Sequence, residues 1–118
     1  MADSTRRALL MAAIPAFSAI ALSRGSQAAE VLPRMTVHRD PACGCCGGWV
    51  EHVKSAGFSI TEIEAANLAP LKTRLGVPVE LSSCHTAEIG GYVIEGHVPA
   101  DAIKRLLAEK PQAKGLAV

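Results

Sequence analysis

Four cysteines and four histidines are the residues of this chain best suited to chemistry, and they lie between His38 and His97. The densest motif is Cys43-Gly44-Cys45-Cys46, whose outer pair has C-x-x-C spacing. At the start of a helix, unpaired N–H groups and the positive end of the helix dipole favour thiolate over thiol, the form that binds metal or attacks a disulfide. Gly44 lets the backbone turn tightly enough for Cys43 and Cys45 to face one centre. A redox pair needs two sulfurs, so a third favours metal. Cys84-His85, after the polar Ser82-Ser83, offers a fourth sulfur and a nitrogen. Cys43, Cys45, Cys46, Cys84 and His85 are the candidate ligands.

Each has a plainer reading. Cys43 and Cys46 can form a structural disulfide with Cys45 spare, as thiols do in an oxidising compartment. Cys84 can be a small buried apolar residue, and His85 can simply satisfy a backbone group. His38, close before the cysteine loop, is a weaker ligand or supporting partner. His52 stands seven residues after Cys45, about 10 Å along a helix, which is too far for one ion. His97 reads as surface. Sulfur-rich donors without paired carboxylates suit copper(I), zinc or an iron–sulfur cluster rather than calcium or magnesium. Copper(I), as one ion or a multinuclear cluster, is the first choice, and a closed four-ligand zinc site is the alternative.

The positioning elements follow from pattern. Met35 to Arg39 alternates as a strand, and Asp40-Pro41-Ala42 breaks it. From about Cys46 to Ser55 the spacing is helical, with Cys46, Trp49, Val50 and Val53 on one face and Gly57 as the stop. Phe58 to Ile63 is a second strand. Asn67 can cap a short helix carrying Leu68, Leu71 and Leu75, ended by Gly76. Val77-Pro78-Val79 is an extended linker. Cys84 to Ile89 and Tyr92 to Glu95 flank Gly90-Gly91 as a hairpin. Pro99 opens a last helix whose buried face is Ala102, Ile103, Leu106 and Leu107, and Pro111 stops it. Strand, helix, strand, helix, hairpin, helix is an α/β order of thioredoxin-like type, with a mixed four-stranded sheet flanked by helices and the cysteines after the first strand.

The chain has 118 residues, enough for one domain, and a formal charge of +1. Its charges form no basic stripe, so no nucleic-acid partner is expected. Aromatics are limited to Phe17, Trp49, Phe58 and Tyr92, so the core must be aliphatic. Arg6-Arg7, the apolar run Ala8 to Leu22 and Ser26-Gln27-Ala28 read as an export signal over residues 1–28, by the general or the twin-arginine route. The run is shorter than the roughly 20 residues of a spanning helix, so no stable membrane insertion is expected after cleavage. Residues 29–118 then form the metal-binding domain in the periplasm.

The segment Asp40 to Trp49, with Leu75-Gly76-Val77-Pro78, Ser83-Cys84-His85-Thr86-Ala87 and Gly91 to Pro99, resembles the exported metal-binding proteins known as domain of unknown function 411. That family includes the CopG-type periplasmic copper proteins. The resemblance covers Met35 to Val118. It implies a thioredoxin-like fold, a role in copper resistance or homeostasis, copper held by Cys43, Cys45, Cys46 and Cys84 together with His85, and exchange with other periplasmic copper-handling proteins. It also implies a Pro-, Gly- and Met-rich tail, which this sequence lacks after Val118. Two rival functions use the same residues: a thiol–disulfide oxidoreductase with Cys43 and Cys46, Cys43 attacking, and a structural zinc module.

Overall fold

The computed structural model describes residues 31–118, and the expected export segment lies outside them. The elements are β1 (Met35–Arg39), α1 (Gly44–Ser55), β2 (Ile60–Glu64), α2 (Ala69–Leu75), β3 (His85–Ile89), β4 (Tyr92–Glu95), α3 (Ala100–Glu109) and β5 (Gly115–Ala117). They build a mixed α/β domain around one sheet of order β2-β1-β3-β4-β5. The α1 crossover makes β2 parallel to β1, whereas β3 runs antiparallel to both β1 and β4.

Two expectations are corrected. The sheet has five strands rather than four, because the chain turns back after α3 and Gly115–Ala117 pairs parallel with Val93–Glu95. Residues Val79–Leu81, within and after the expected extended linker, form a 3₁₀ turn. α1 also begins at Gly44, so the cysteines occupy its cap and first turn.

Strand alternation sorts the side chains onto two faces. Met35, Val37, Ala87, Ile89 and Ile94 share one, where Trp49, Val50 and Val53 of α1 and Ile103 and Leu106 of α3 cover them. Fully burying each such aliphatic side chain contributes about 1.5–3 kcal/mol. Thr86 and Glu95 lie on the opposite face, where Lys72 of α2 reaches them. The hairpin between β3 and β4 depends on left-handed backbone at Gly90 (φ 55°) and Gly91 (φ 82°), a region that side-chain-bearing residues seldom adopt. Asn67 Oδ1 accepts the Ala69 N–H at 3.1 Å, so it does serve the start of α2, from one residue before the cap position. No helix among the described residues is long and apolar enough to cross a membrane.

Candidate metal centre

Central strand β1 delivers the chain to the cysteine motif through a short turn. Asp40 Oδ1 accepts the Ala42 N–H at 2.9 Å, and the Asp40 carbonyl accepts the Cys43 N–H at 3.0 Å. Cys43 is the N-cap of α1 in extended geometry, and Cys45 and Cys46 lie in the first turn that follows. Cys84 arrives from the loop before β3.

Four sulfurs converge. Cys43 Sγ lies 2.6 Å from Cys46 Sγ and 3.3 Å from Cys45 Sγ; Cys84 Sγ lies 3.3 Å from Cys46 Sγ and 3.8 Å from Cys45 Sγ. All four fall within 4.8 Å of one another and carry no disulfide. A tetrahedral ion with metal–sulfur bonds near 2.3 Å would hold its sulfurs about 3.8 Å apart, the spacing that Cys45 and Cys84 already have, whereas Cys43 and Cys46 would have to open by about 1.2 Å. Cys46 is fully buried and Cys45 is exposed. A cleft of about 370 Å³ opens beside Cys43 and Cys84, with Asp40, Leu68, Lys72 and Ser83 among its lining.

The thiols divide in their acidity. S–H donation from Cys46, then Cys84 and Cys45, lowers Cys43 to about 6. Burial, then hydrogen bonding to Cys43, pushes Cys46 up. The same two causes, in that order, raise Cys84 to about 11. The metal-free cluster therefore holds a thiolate at Cys43 beside protonated Cys46 and Cys84.

His85 stands outside the four-sulfur group and forms a second one with Cys84 and His97, whose ligand atoms also lie within 4.8 Å of one another. The His85 ring is fully buried, stacked on Trp49 at 4.5 Å and on His97 at 5.4 Å. Its Nε2 donates to the Gly96 carbonyl at 2.8 Å, which leaves Nδ1 with a lone pair and no partner. Burial, opposed by the Gly96 carbonyl, lowers its pKa and keeps the ring neutral, as a nitrogen ligand must be.

The other histidines have assigned work. His38 Nε2 pairs with Glu88 Oε2 at 2.9 Å across β1 and β3, outside both groups. His52 Nε2 accepts the Ala100 N–H at 3.1 Å and so joins α1 to the start of α3. His97 is exposed, as its position suggested, yet it belongs to the second group. Sequence reasoning missed that role because no periodicity marks Gly96-His97 after the hairpin.

The fold and the site define a small mixed α/β protein with a sulfur-rich metal-binding cluster. A family model described as protein of unknown function, DUF411, matches residues 81–118. Two solved structures, named copper resistance protein CopG in form 1 and form 2, each share 44% identity with the chain. Each alignment covers 74% of this chain and 69% of the other, with a TM-score of 0.69. No curated protein matches. The chain belongs to the DUF411 family.

Proposed function

We propose that this protein binds copper(I) through Cys43, Cys45, Cys46 and Cys84, with His85 and His97 as adjacent nitrogen donors, and that it serves copper resistance or homeostasis in the periplasm. The observation that carries this reading is the convergence of four cysteine sulfurs from two separate segments. Thiolates are soft and match copper(I) better than hard cations. The names of the two similar structures point the same way. Cys84 belongs to both donor groups, and as a bridging thiolate it would let the site hold more than one ion.

The strand order β2-β1-β3-β4, with the cysteine helix directly after β1, supports a thioredoxin-like assignment, to which β5 is an addition. Export rests on Arg6-Arg7, the apolar run and Ser26-Gln27-Ala28. Recovery of protein starting at Ala29 from a periplasmic fraction supports it, and full-length chain in membranes refutes it. Other copper-handling proteins of that compartment are the natural exchange partners.

The metal assignment is tested by loading the reduced protein with copper(I) against a copper(I) chelator and then challenging it with zinc. Zinc displacing copper at equal concentration refutes the copper reading in favour of a zinc module.

A specific observation favours a second reading, thiol–disulfide exchange. Cys43 is partly exposed with a pKa near 6, while Cys46 is buried 2.6 Å away, the asymmetry of an attacking and a resolving thiol. Cys45→Ser separates the two. A metal cluster loses copper affinity or stoichiometry sharply with that sulfur, whereas a Cys43–Cys46 exchange site keeps its activity. Wild-type copper loading in Cys45→Ser and Cys84→Ser would refute the four-sulfur site.

A further inference from the structure

Three sulfurs of the site ride on the rigid start of α1, but Cys84 sits in a loop and needs its own anchor. We propose that the buried Lys72–Glu95 ion pair is that anchor: Glu95 holds Ser83, and through it sets Cys84 against the other three sulfurs. The proposal deepens the metal-site reading and rests on it.

Glu95 ends β4 and is 2% exposed. Its Oε1 accepts the Ser83 N–H at 2.8 Å and lies 3.0 Å from Ser83 Oγ, while Oε2 accepts the Thr86 hydroxyl at 2.7 Å. Lys72 of α2, 8% exposed, pairs with Glu95 and donates to Thr86 Oγ1 at 2.7 Å. Ser83 Oγ also reaches the His85 carbonyl at 2.7 Å. The residue before Cys84 thus has both its N–H and its hydroxyl at one carboxylate, and the residue after it is tied into the same turn.

As a source of stability such a pair is a poor choice. Desolvating two charges offsets most of their attraction, and apolar residues of similar volume often do as well or better. An apolar pair could not supply the acceptor that Ser83 uses. Lys72, Ser83, Cys84 and Cys43 also line one cleft, so the network borders the site itself.

The test measures how well the loop presents Cys84, without metal. In the full chain carrying Cys43→Ser and Cys45→Ser, only Cys46 and Cys84 remain, 3.3 Å apart. Equilibration with glutathione reports their effective concentration: the two thiols pass two electrons and two protons to oxidised glutathione, giving one protein disulfide and two reduced glutathiones. Lys72→Met with Glu95→Leu replaces the pair without stranding a charge. In this double variant the disulfide equilibrium constant should fall about tenfold while the domain still unfolds cooperatively. A merely structural pair would move the unfolding temperature and leave that constant alone, and a constant within about twofold of the parent overturns the proposal.

Should the double variant not fold, Ser83→Ala removes one contact to Glu95 and should lower the constant about threefold; a parental value there overturns the proposal equally. With all four cysteines restored, copper(I) affinity should fall with Lys72→Met/Glu95→Leu in step with the disulfide constant. A lowered disulfide constant in a protein that binds no copper(I) at all supports the anchor and refutes the copper reading, so the two fail separately.

Discussion

Loading the cluster with copper(I) should expel protons, and the structure sets how many. Cys46 is pushed up and Cys84 lies near 11, so both are protonated at neutral pH, whereas Cys43, near 6, is already ionised. Metal ligands must be thiolates, so binding by all four sulfurs displaces at least about two protons per chain. Affinity should then rise with pH by at least about a hundredfold per unit between neutrality and pH 9. Below pH 6 the dependence steepens further as Cys43 takes up a proton. The direct assay adds anaerobic copper(I) to reduced protein in weakly buffered solution near pH 7.5 with an indicator dye, and counts protons released. Wild type should release two or more, and Cys84→Ser one fewer. Release of less than one proton per chain, or an affinity flat across this range, would refute the four-thiolate site.

Trp49, the chain's one tryptophan, stacks on His85 beside Cys84, so copper(I) should quench its fluorescence in proportion to loading; emission unchanged at full loading would place the metal elsewhere. Trp49→Phe removes the indole donor to the Val98 carbonyl at 2.8 Å and should cost about 1–3 kcal/mol by urea unfolding of the metal-free protein. Ile103→Ala empties a fully buried position and should cost about 2–5 kcal/mol in the same assay. Burial works to raise Glu95, but Lys72, the Ser83 N–H and the Thr86 hydroxyl hold its carboxyl below the usual range. Its stabilisation is therefore complete above the ordinary carboxylate pKa and lost as pH falls through the folded value. Glu95→Gln should flatten the acid side of the urea-midpoint profile, and an unaltered profile would show that other carboxylates govern it.

What could be read from residues alone followed from strong local signals. Met35 to Arg39 alternates, Gly90-Gly91 demands a turn, and Cys46, Trp49, Val50 and Val53 repeat at helical spacing; each forms as expected because side-chain period and backbone preference agree. β5 was not legible, since Gly115-Leu116-Ala117 is too short to alternate and gains strand geometry only from pairing with β4. Lys72 was invisible for a related reason. A lysine on a short helix normally faces solvent, and nothing near it in sequence announces Glu95, 23 positions away. At the site, spacing alone grouped the three sulfurs of residues 43–46, whereas the approach of Cys84 depended on an assumed fold. The sharing of Cys84 with His85 and His97 is a product of tertiary packing that no motif encodes.

The sequence separation of 38 between Cys46 and Cys84 gives the cluster a topological role. A metal ion held by both sulfurs is a reversible staple across that loop. By the chain-entropy relation for cross-links, closing 38 residues penalises the unfolded ensemble by roughly 4 kcal/mol, provided the ion stays bound to both sulfurs when the chain unfolds. Preferential binding to the folded state adds stabilisation with rising free metal. The loaded molecule would then resist proteases that capture unfolded chains, while the emptied one is exposed to them, so turnover of the protein becomes a readout of whether its cluster is occupied.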